Sequence, residues 1–139
     1  MTNWCSQTPI LPSGPIICPD DKPCINQTCA QNAANKFNQA MWAAINKACT
    51  DYTYAQQDRG EALNVCIRAY NACIANGNPP ASCQSAKDSC DASAEATFQA
   101  TVSGINSTFE TAKTNATSQY YLDMQACCMP CPPPPPSGL

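Results

Sequence analysis

Cys73-Ile74-Ala75-Asn76-Gly77-Asn78-Pro79-Pro80-Ala81-Ser82-Cys83 fixes how the rest of the chain is read. Asn-Gly-Asn-Pro-Pro is the strongest turn signal in the interior, because Gly and Asn accept left-handed backbone and two prolines stop any helix that reaches them. A turn centred on residue 78 makes Cys73 and Cys83 equidistant from it. Moving outward, Cys66 matches Cys90 and Cys29 matches Cys127, and the position numbers of each pair sum to 156. Staples across two antiparallel helices nest in this way. The expected disulfides are therefore Cys66–Cys90, Cys73–Cys83 and Cys29–Cys127.

The stretches on either side of the turn read as helices. From Cys29 to about Ala75 there is no proline and alanine is frequent, and the same holds from Ala81 to about Ala126. Met41, Ile45, Ala48, Tyr52, Ala55, Arg59, Ala62, Cys66, Ala69 and Cys73 recur at heptad spacing. The second arm answers with Cys83, Ala86, Cys90, Ala94, Phe98, Val102, Ile105, Phe109, Ala112, Ala116 and Tyr120. Applying the same pivot sets Phe109 near Ala48 and Ile105 near Tyr52, large residues against smaller ones. Gly60 lies inside the first arm at a cost of about 1 kcal/mol against alanine, so a bend or break is expected there. Phe37, Trp42, Tyr54 and Tyr70 fall off the seam and are expected to be exposed, as a surface for a partner.

The fold class expected is all-α: a long antiparallel, disulfide-stapled helical hairpin of coiled-coil character. Its helices cover about 30–75 and 81–126, with the turn at 76–80, inside a hairpin region of 29–126. Before it lies an extended arm, residues 1–28, where Pro9, Pro12, Pro15, Pro19 and Pro23 alternate with Cys5, Cys18 and Cys24. After it, residues 127–139 combine Cys127, Cys128 and Cys131 with five consecutive prolines, a cysteine cluster leading into a polyproline II tail.

The Cys-x6-Cys spacing on both sides of one turn, from Cys66 to Cys90, resembles the paired-cysteine helical hairpins of the twin Cys-x9-Cys (coiled-coil-helix-coiled-coil-helix) proteins of the mitochondrial intermembrane space. The resemblance covers about a fifth of the chain, and what it implies is structural.

Twelve cysteines in 139 residues, with no histidine, fit a disulfide framework better than a zinc or catalytic centre. Six disulfides are expected, in an oxidising, extracellular or cell-surface setting. Thr-Asn-Trp-Cys after Met1 does not read as a secretion signal, so a removed leader or another route is expected. Cys49 faces Ser107 across the pivot, so its partner comes from elsewhere, with Cys5, Cys18 or Cys24 the expected donors. The connectivity of Cys5, Cys18, Cys24, Cys49, Cys128 and Cys131 stays open, bonds between molecules included.

Function classes narrow by exclusion. A net charge of -3 with scattered Lys and Arg offers no basic stripe for nucleic acid. No stretch approaches the roughly 20 apolar residues of a membrane span. Without histidine the usual general base and nucleophile systems are missing, so no enzyme activity and no cofactor is expected. Cys128-Met129-Pro130-Cys131 has the spacing of a thiol-exchange motif, and with Cys127 it could also hold Cu(I) or zinc as thiolates. Asn26, Asn106 and Asn115 each open an Asn-x-Ser/Thr glycosylation acceptor. The leading expectation is a non-catalytic structural or interaction protein that assembles with its own copies or within a larger complex, as a filament, coat or accessory subunit. Thiolate metal storage and thiol–disulfide exchange are the alternatives.

Overall fold

The computed structural model describes residues 3–136. Met1 and Thr2 of the arm, and Ser137, Gly138 and Leu139 of the tail, lie outside the described residues. Helix α1 spans Gln27–Ala75 and α2 spans Pro80–Gln125, 49 and 46 residues long. A two-residue strand, β1 (Cys24–Ile25), precedes α1, and another, β2 (Cys128–Met129), follows α2. They pair antiparallel with Cys24 opposite Met129 and Ile25 opposite Cys128. The two helices pair as an antiparallel hairpin carrying six disulfides.

Each helix end has a cause in the sequence. Asn26 caps α1: its Oδ1 accepts a hydrogen bond from the Cys29 N–H at 2.9 Å, and its carbonyl takes the first helical bond, from Ala30. This cap starts α1 at Gln27, three residues ahead of the expected start near residue 30. At the other end Gly77 adopts φ +81°, its N–H donates to the Ile74 carbonyl, and the Asn78 N–H donates to that of Cys73. That pair of bonds is a Schellman motif, which satisfies carbonyls the helix leaves open. Pro79 then accepts from the Cys83 N–H, and Pro80 takes the first position of α2, where a missing N–H costs nothing.

The chain divides into two compact units. One comprises residues 3–5 and 46–109. Its buried apolar side chains are Trp4, Ala48, Ala55, Cys66, Cys83, Ala94, Phe98, Ile105 and Phe109. From Cys66 to Cys90 the only buried side chains are the two cysteines Cys66 and Cys83, so disulfides take the place of a core there.

The other unit comprises residues 6–45 and 110–136. Ala33, Phe37, Met41, Ile45, Ala116, Met124 and Cys127 are buried within it. Phe37, expected on the surface, is 4 % exposed and meets Tyr120 edge to face at 5.6 Å. The reason is that the seam does not begin at Met41: it continues upstream through Phe37 to Ala33. Nor is α1 broken at Gly60, since helical hydrogen bonding outweighs the propensity cost of one glycine.

Candidate functional site

Residues 6–26, α2 after Glu110 and the chain beyond it form a densely bonded end. The Asn26 N–H donates to the Cys127 carbonyl at 2.9 Å, which places β1 beside β2. Three disulfides converge there: Cys18–Cys128, Cys24–Cys131 and Cys29–Cys127. Cys128 and Cys131 are therefore bonded to two different cysteines of the arm and not to each other. The arm is also held by side chains of α2: the Gly14 N–H donates to the Tyr121 hydroxyl at 2.8 Å, and Gln125 donates to the Ile17 carbonyl. A Cβ on residue 14 would stand 2.3 Å from that hydroxyl, so glycine permits the close approach. Lys36 pairs with Asp123 at 3.7 Å, an exposed contact of little energetic weight.

In the other unit, Cys5–Cys49 anchors the start of the chain. A 3-10 turn, Trp4–Ser6, sets the Trp4 side chain 2 % exposed, its ring 5.5 Å from Tyr52. Tyr52 in turn lies 6.0 Å from Phe98, and the Arg59 guanidinium stacks over Phe98 at 4.9 Å while bonding Glu95 at 2.9 Å. These contacts fix Arg59 by packing as well as charge. Next to Arg59 is a groove of about 440 Å³ between the helices, with Ala55, Ala62, Val65, Ala94 and Phe98 among its walls.

At the hairpin tip Cys66–Cys90 and Cys73–Cys83 form two rungs, with Cα atoms 5.7 and 5.8 Å apart. Beside them the Asp91 carboxylate, hydrogen bonded to Lys87 at 2.7 Å, raises the Lys87 ammonium above its ordinary pKa. The three acceptor asparagines are exposed; Asn106 and Asn115 stand within α2, and Asn26 is the cap of α1.

The six cysteines whose connectivity sequence left open are thus Cys5–Cys49, Cys18–Cys128 and Cys24–Cys131, all within one chain. A hint was present for one of them: Cys24 and Cys131 sum to 155, one short of the pivot value. Trp4, which sequence reasoning passed over, supplies the largest of the most deeply buried side chains. Chemically, this arrangement holds every cysteine as disulfide and leaves apolar side chains on the surface, Ile10 at 83 % and Ile17 at 76 % exposure foremost. No helix of the described residues is long and apolar enough to cross a membrane. Comparison with protein-family models, curated proteins and solved structures finds no match to this chain.

Proposed function

We propose that this is a non-catalytic structural protein, a subunit of an extracellular or cell-surface assembly such as a filament or coat. The observation that carries the reading is the pairing of a covalently closed framework with uncovered apolar surface. All twelve cysteines are spent on six bonds within the chain, in both units. Disulfides of this density belong to oxidising surroundings, where a small core needs covalent help to persist. Meanwhile Ile10, Ile17, Tyr54, Val65 and Leu122 remain exposed on a chain with charged residues at 12 %. Exposed apolar side chains beside so little charge favour contact with other protein.

The thiol-based readings draw less support. Metal storage and thiol exchange both act through a thiolate, and every cysteine sulfur here is in a disulfide. A thiol-exchange pair closes on itself, whereas Cys128 and Cys131 each hold down the arm.

Sedimentation velocity and electron microscopy of the full chain over a wide concentration range test the proposal. Species larger than one chain, growing with concentration, are expected. A monomer at every concentration, with no ordered particles, overturns it.

A further inference from the structure

The N-terminal arm is divided between the two units. Residues 3–5 pack with 46–109, while residues 6–45 belong to the other unit. The smaller piece is a plug: Trp4 fills a socket against Tyr52, and Cys5 bonds Cys49. The remainder of the arm is held by two disulfides, Cys18–Cys128 and Cys24–Cys131, but the plug by this single one. Cys5 is exposed and Cys49 half-buried, whereas the hairpin staples each include a fully buried cysteine: Cys66, Cys83 or Cys127. Between the plug and Gly14, which bonds Tyr121, the connection carries Pro9 and Pro12, half-buried like Gln7, and turns Ile10 and Leu11 outward.

We propose that the plug is exchanged between copies: Trp4 of one chain fills the Tyr52 socket of a second copy, and Cys5 bonds that copy's Cys49. This names the contact for the assembly proposed above and rests on that reading. The partner is a second copy because the socket is already known to fit this plug, and exchange reproduces the same contacts. Pro9 and Pro12 hold the connection extended, so reaching a second copy gives up only the partial burial of Gln7, Pro9 and Pro12. Residues 6–13, extended, reach about 25 Å. A neighbour seated there also covers Ile10, which is 83 % exposed in one copy.

The covalent step is redox-neutral. A low-molecular-weight thiolate attacks the Cys49 sulfur, forming a mixed disulfide there and expelling Cys5 as a thiolate. The Cys5 thiolate of another copy attacks the same sulfur, forms the bond between copies and releases the small thiolate. One disulfide breaks and one forms, and the small thiol is regenerated.

The test mixes isotopically heavy and light full-length chains with a trace of reduced glutathione. After an alkylation quench and unreduced proteolysis, the linked peptides are weighed. Heavy–light Cys5–Cys49 pairs should approach about half of all such pairs in the particles larger than one chain, while Cys66–Cys90 pairs stay unmixed. Cys24–Cys131, with one cysteine exposed and the other half-buried like Cys5 and Cys49, is the matched control and should also stay unmixed. Heavy–light Cys24–Cys131 pairs in the same share as Cys5–Cys49 mean random scrambling and overturn the proposal. Unmixed Cys5–Cys49 pairs in large particles overturn plug exchange and leave the assembly reading standing. Unmixed pairs with no large particles defeat both.

Discussion

Cys66 is bonded to Cys90 across the two helices, their Cα atoms 5.7 Å apart, and Cys66 is only 1 % exposed. Because the tip beyond this rung buries little else, the bond carries much of its order. Replacing both cysteines with alanine frees a loop with a sequence separation of 24. Stability should fall by about 3 kcal/mol, and amide exchange across 67–89 should rise, as denaturant titration and hydrogen exchange will show.

Gly60 and Gly77 should respond to alanine with opposite signs. A Cβ at Gly60 meets nothing within 4 Å, so Gly60→Ala adds helix propensity and stabilises by about 1 kcal/mol. Gly77 holds φ +81° in the Schellman turn, where Gly77→Ala is strained and destabilises by about 1 kcal/mol. Urea midpoints of the two variants read out both changes.

Asn26 has a capping role that glycosylation of its amide nitrogen does not replace, since the bond to the Cys29 N–H uses Oδ1. Asn26→Ala should cost about 1 kcal/mol, and Asn26→Asp, which keeps an acceptor oxygen, should cost less. Thermal melts followed by circular dichroism distinguish the two.

The hairpin was legible because its signals are periodic and symmetric: a turn at 76–80, helix-permissive runs on both sides, and cysteines mirrored about residue 78. Phe37 was missed because the reading of the seam began at Met41, although 33, 37, 41 and 45 continue the same helical face. The arm obeys no such period. Cys18 and Cys128 sum to 146, which relates to no pivot, and their bond depends on how an irregular chain is led past Tyr121 and Gln125. Trp4 gave no sequence signal at all, lying among polar residues and prolines far in sequence from Tyr52. An assembly surface likewise has no fixed motif, so exposed apolar residues such as Ile10 and Ile17 become visible only once the rest is packed.

Phe37→Ala should destabilise by about 3 kcal/mol or more, because it empties a buried site against Tyr120. Trp42→Ala, an exposed position on the same helix, should change stability by less than about 0.5 kcal/mol. Chemical denaturation of the two variants side by side measures the contrast.

The central claim is that every cysteine is consumed in the scaffold, leaving the protein to act through its surface. Intact mass of the native chain, before and after reduction and with alkylation under denaturing conditions, tests it most directly. Each chain should weigh two hydrogens less for each of the six disulfides, take up no alkylating reagent before reduction and carry no metal. Full-mass chains that alkylate without reduction, or that carry bound Cu(I) or zinc, would contradict the account and return the cysteines to thiolate chemistry.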